Sequence, residues 1–98
     1  MMIYKEKNGG ALTVTLEGRL DTTTSPQLEG DLRTAVNGVT ELIFDLNALD
    51  YVSSAGLRVL LSAQKTMNRQ GSMKLKNVNE TIMEIFEVTG FSDILTIE

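Results

Sequence analysis

The chain has 98 residues, 42% of them hydrophobic, which suffices for one domain spanning 1–98 around one core. Nine basic against 13 acidic residues leave a net charge of −4, a balance that speaks against DNA or RNA as a direct partner, because phosphate-backbone affinity comes from Lys and Arg. With neither Cys nor His, disulfides, thiolate or imidazole metal sites, Ser-His relays and most routes to enzymatic catalysis are closed.

In chain order, Met2, Tyr4 and Lys5-Glu6-Lys7 predict a short, charged edge strand. Asn8-Gly9-Gly10 predicts a hairpin turn, and Leu12, Val14 and Leu16 then alternate with Thr13, Thr15 and Glu17 as in a half-buried strand ending at Gly18. Thr22, Thr23, Thr24 and Ser25 are capping residues, and Pro26 suits a first helical turn. Leu28, Leu32, Ala35 and Val36 follow at helical spacing until Asn37-Gly38. Leu42, Ile43, Phe44 and Leu46 predict a central strand covered on both faces, followed by a loop holding Asp50, Tyr51, Ser53 and Ser54.

A second helix is predicted from Gly56 to Gln70, with Leu57, Leu60, Leu61 and Met67 on one face. Met73 and Leu75 alternate with Lys74 and Lys76 in another strand. Asn79 can cap a third helix that buries Ile82, Ile85 and Phe86, turns Glu80, Glu84 and Glu87 to water, and stops at Gly90. Ile94 to Ile97 predict a last short strand. The order β-β-α-β-α-β-α-β implies an α/β domain with a mixed, mostly parallel sheet. These elements use the whole apolar pattern, so a monomer is expected. No signal peptide is visible, and no apolar run approaches the ~20 residues that span a bilayer, so a cytoplasmic protein without membrane insertion is expected.

Chemistry concentrates at the junction of the third strand and the second helix, Leu49-Asp50-Tyr51-Val52-Ser53-Ser54-Ala55-Gly56-Leu57. Two hydroxyls stand where a helix begins, and Gly56 permits close approach of backbone or partner. Either Ser53 or Ser54 can simply cap the helix, and spacing does not decide between that role and a functional one. Asp21, Asp45 and Asp50 lie at or near strand ends; solvated turn carboxylates are their default reading, and no metal or other cofactor is expected. Arg58, Ser62, Lys65 and Arg69 place a basic stripe on the second helix of an acidic chain. The stripe is either an ordinary solvated face or one side of a contact with an acidic partner, with Val59 and Ala63 as its apolar centre if exposed.

Three segments, LEGRLDTTTSPQL (Leu16 to Leu28), ELIFDL (Glu41 to Leu46) and LDYVSSAGLRVLL (Leu49 to Leu61), resemble the STAS domain, a family of sulphate transporters and bacterial anti-sigma factor antagonists. The likeness runs over nearly the whole chain, and its length is that of the stand-alone antagonists. It implies a non-enzymatic, partner-switching module. Such a module binds an anti-sigma factor that is also a serine kinase, frees the sigma factor for transcription, and is switched off by phosphorylation until a serine phosphatase restores it. The family's acceptor lies two residues before the Gly, which maps to Ser54, and its Gly-x-x-Asp maps to Gly18 and Asp21. Many members carry Asp immediately before the acceptor; here that position is Ser53. The partner surface implied is Asp21, Thr22, Ser53, Ser54, Ala55, Gly56, Arg58, Val59 and Ser62. Some STAS proteins are never phosphorylated, so the alternative is a constitutive scaffold subunit of a signalling or membrane-transport complex.

Overall fold

A computed structural model describes residues 1–98. The elements are β1 (Met2–Asn8), β2 (Ala11–Leu20), α1 (Ser25–Ala35), β3 (Glu41–Val52), α2 (Ser54–Gln70), β4 (Ser72–Lys76) and α3 (Glu80–Thr89), followed by a 3-10 turn at Phe91–Asp93. One four-stranded sheet runs in the order β1-β2-β3-β4, with β1 antiparallel to β2 and the other pairs parallel. The hairpin pairs Asn8 with Ala11, and Gly9 takes the positive φ (62°) that closes the turn without a Cβ clash.

The alternation in β2 sends Leu12, Val14 and Leu16 into the core beside Leu42, Phe44 and Leu46 of β3. Met73 and Leu75 continue this layer on β4, and Leu28, Leu60, Met67, Ile82 and Phe86 close it from the helices. Contrary to the expectation for β3, the sheet is not covered equally on both faces. Ile43 and Asp45 of β3, with Thr13 and Thr15 of β2, remain half-buried on the side opposite the main core. The run Leu42 to Leu46 looked doubly covered only because Ile43 is apolar.

β3 is also longer than its apolar run suggests. It carries one extra residue relative to β2 at two places, between the pairs Thr15–Asp45 and Glu17–Ala48 and between Gly18–Leu49 and Arg19–Tyr51. Such bulges break the two-residue period by which a strand is read, so Asp50 and Tyr51, expected in a loop, belong to the strand. β2 likewise continues past Gly18 to Leu20, which pairs with Val52. The net effect carries the end of β3 to the start of α2.

The predicted last strand is not formed. Gly90 ends α3 in the left-handed region (φ 81°), the chain tightens into the 3-10 turn, and Ile94 is exposed. Only Ile97 bridges Leu75, through Leu75 N–H to the Thr96 carbonyl and Glu98 N–H to the Leu75 carbonyl, each 2.9 Å. The turn consumes residues a strand would need, so the observed order is β-β-α-β-α-β-α. At this edge the Lys74 ammonium pairs with Glu98 (3.3 Å) and Glu41 (3.4 Å), and the hydrogen bond to Glu98 chiefly holds it above the ordinary lysine range.

Candidate functional site at the start of the second helix

The two serines at the β3–α2 junction have different tasks. Ser53 has extended backbone, and its Oγ accepts the N–H of Gly56 at 3.3 Å, while its carbonyl receives Leu57 N–H at 2.9 Å. It is the helix cap, satisfying a donor that the first turn would leave orphaned. Ser54 is the first residue of α2, is exposed, and its hydroxyl has no hydrogen-bond partner in the chain. Of the pair, Ser54 is the exposed one and the one outside the cap.

This helix start is pinned to the end of β2. Ser53 N–H donates to the Leu20 carbonyl at 2.8 Å. Gly56 is buried so closely against Leu20 that a Cβ would stand 2.8 Å from Leu20 Cγ and 2.9 Å from its carbonyl oxygen. Asp21 follows directly, so the β2–α1 loop lies beside the Ser54 segment. Its Oδ1 accepts the backbone N–H of Thr23 and of Thr24, each at 3.0 Å. The Thr24 backbone contact is the main reason its carboxyl lies below the ordinary value, and the Thr24 hydroxyl, Thr23 N–H and Arg19 act in the same direction. Arg19 approaches Asp21 Oδ2 at 3.8 Å and lies over the Tyr51 ring, 4.4 Å from its centroid.

A groove runs between α1 and α2 from this point. Its upper part, about 270 Å³, is lined by Thr22, Ser25, Pro26, Glu29, Ala55, Arg58 and Val59. A lower part of about 380 Å³ shares Glu29 and Val59 and adds Leu32, Val36, Ser62 and Ala63. The structure therefore brings Thr22, Ala55, Arg58, Val59 and Ser62 to one groove; Ser54 precedes Ala55 in the chain but is not part of the lining. Asp21, Ser53 and Gly56 build the loops around it and do not line it. Val59 and Ala63 are not a protruding apolar centre: each is 7% exposed, because α1 packs beside α2 and turns them into the groove floor. Arg58, Ser62, Lys65 and Arg69 are all exposed, and of these Arg58 and Ser62 border the groove.

Asp45 accepts the N–H of Asn47 at 3.1 Å, Asp50 is exposed on β3, and no three acidic side chains converge anywhere in the fold. Sequence reading missed Arg19, Tyr51 and Glu29. The first two meet only through the bulged β2–β3 register, which no local pattern reports; Glu29 could have been found as the residue one turn after Ser25 on the α1 face toward α2.

Comparison with known proteins agrees with this architecture. The STAS domain family matches residues 2–98. The chain belongs to the STAS domain family. A putative anti-sigma factor antagonist, BtrV of Bordetella bronchiseptica, is 35% identical over 99 residues, covering 99% of this chain and 85% of that protein. The anti-sigma-B factor antagonist of Bacillus subtilis is 30% identical, covering 94% and 85%. Among solved structures, the Bacillus cell fate determinant SpoIIAA in its phosphorylated form superposes with a TM-score of 0.77 at 21% identity, covering 99% of this chain and 91% of that one. The two sequence relatives are by name anti-sigma factor antagonists. In this STAS domain the helix-start segment carries a capped serine and a free one, and no helix is long and apolar enough to cross a membrane.

Proposed function

We propose that this STAS domain is a cytoplasmic anti-sigma factor antagonist. It docks as a monomer, through the start of α2, the Asp21–Thr22 loop and the upper α1–α2 groove, onto an anti-sigma factor with serine kinase activity, and so frees a sigma factor. The kinase transfers the γ-phosphoryl group of ATP to Ser54 Oγ, releasing ADP, and the modified chain leaves; a serine phosphatase reverses this. The relatives named as anti-sigma factor antagonists support the role. The observation that carries the switch is that Ser54 is exposed and unbonded while Ser53 is occupied as the helix cap.

The energetics favour a switch in binding rather than in folding. A phosphoserine adds about −1.5 to −2 charges near neutral pH. At a helix N-terminus that charge is favoured by about 0.3–1 kcal/mol. Desolvating it at a docked face beside Asp21 without a compensating partner costs several kcal/mol, by order of magnitude. The interface penalty is the larger. The domain stays folded and the complex separates.

Incubation with the cognate kinase and ATP, followed by mass spectrometry, tests the assignment. Phosphate is expected on Ser54, retained in Ser53→Ala and lost in Ser54→Ala. A partner that binds stably without modifying any serine would replace this reading with a constitutive scaffold.

A further inference from the structure

Arg58 stands one helical turn after Ser54 on the exposed side of α2. Side chains four apart on a helix are neighbours, about 5–6 Å between Cβ atoms, and an anion preceding a cation is the favourable order. Both groups are uncommitted: the Ser54 hydroxyl has no hydrogen-bond partner, and Arg58 takes part in none of the chain's ion pairs. Arg19, another cation at this end of the sheet, is already engaged by the Tyr51 ring and the Asp21 carboxylate. Asp21 in turn is engaged at Oδ1 by the backbone N–H groups of Thr23 and Thr24 and faces Arg19 with Oδ2.

Taking Ser54 as the acceptor, as argued above, we infer that Arg58 is the residue that captures the phosphoryl group. Its planar guanidinium can present two N–H donors to two phosphate oxygens, a geometry that a solvated ammonium does not match. In the unmodified chain Arg58 lines the upper groove with Thr22, Glu29 and Val59, where it is available to an incoming partner. After modification it turns back along the helix to Ser54. Phosphorylation therefore alters the docking face twice, by adding a dianion at its head and by withdrawing a basic side chain from its wall. The same pair ties down the first turn of α2, so the modified chain is more resistant to unfolding than the unmodified one. Arg58 acts here as a positioning residue for the phosphate.

Phosphoserine inserted at position 54 during translation gives the modified chain without any kinase. Its 31P signal is titrated with pH, and thermal midpoints are taken with and without the phosphate, in the parent, Arg58→Gln, Arg58→Lys and Arg19→Gln backgrounds. The second phosphate pKa, ordinarily near 6, is expected to lie lower in the parent than in Arg58→Gln, by about half a unit or more. The phosphate should raise the midpoint most in the parent and in Arg19→Gln, less in Arg58→Lys, and least in Arg58→Gln, where only the helix N-terminus still favours the charge. Equal titration curves in the parent and Arg58→Gln, or a shift abolished by Arg19→Gln alone, would overturn the assignment. An error in the acceptor itself is read separately, from the kinase reaction and its mass spectrum.

Discussion

Asp21 and Thr24 bond to each other in both directions: Asp21 Oδ1 accepts the Thr24 backbone N–H at 3.0 Å, and Thr24 Oγ1 accepts the Asp21 backbone N–H at 2.8 Å. The Thr24 hydroxyl then donates to the Arg19 carbonyl at 2.7 Å. The arrangement works like a capping box, in which two side chains satisfy each other's backbone donors across three residues. It closes the loop between β2 and α1, and that loop fixes the neighbourhood in which Ser54 stands.

Asp21→Ala should therefore lower the thermal midpoint at pH 7 and loosen the loop. The Asp21 carboxyl lies below its ordinary 3.8 in the folded chain, chiefly through the Thr24 N–H. A lowered folded value means stabilisation that is fully present above the ordinary carboxylate range and lost as pH falls through the folded value. Melts of parent and variant from pH 7 down to pH 2 should show a gap that closes in acid. A gap that is constant over this range would mean the ionised carboxylate is not responsible. Asp21→Asn, which keeps an acceptor oxygen but not the charge, should recover part of the loss.

Gly56→Ala should destabilise although it improves helix propensity. Alanine is favoured over glycine within a helix by about 1 kcal/mol. Here its methyl would stand 2.9 Å from the Leu20 carbonyl, a backbone atom that cannot swing aside, and overpacking of this kind costs roughly 1–3 kcal/mol. Denaturant melts should show the clash prevailing over the propensity gain. An unchanged or raised midpoint would show that α2 can slide from β2 freely.

Leu60→Ala should cost about 2–5 kcal/mol, since Leu60 is fully buried between α2 and the sheet and its removal leaves a cavity. Urea melts read this directly. A loss below about 1 kcal/mol would be incompatible with its place in the core.

What could be read in the sequence follows what is local. The period in β2, the cap at Asn79, and the stops at Gly71 and Gly90 are set by neighbours within a few residues, and each is found where it was expected, whereas α2 begins at Ser54, two residues before the expected Gly56. The extension of β3 through Asp50 and Tyr51 was hidden, because two bulges shift the period and only the β2 partner defines the register. The strand expected at Ile94 to Ile97 shows the converse: apolar β-formers whose pairing reduces to a single bridge at Ile97. At the site, the hydroxyl pair and the basic stripe were visible in sequence, but not which serine caps the helix. That depends on backbone angles at Ser53, extended there and helical from Ser54 onward. Burial of Val59 and Ala63 was likewise set by α1, a partner that helical spacing on α2 cannot reveal.

The central claim is that charge on Ser54 governs docking and leaves folding intact. The direct measurement is calorimetric titration of the parent chain and of Ser54→Asp against the anti-sigma kinase, with parallel thermal melts. A carboxylate carries less charge than a phosphate, so its effect should be the smaller of the two, yet Ser54→Asp should still bind tenfold or more weakly, about 1.4 kcal/mol or more. Its thermal midpoint should be close to the parent's, since an acidic side chain suits a helix N-terminus. Ser54→Ala should bind as the parent does. Tight binding by Ser54→Asp, or weak binding accompanied by unfolding, would contradict the account.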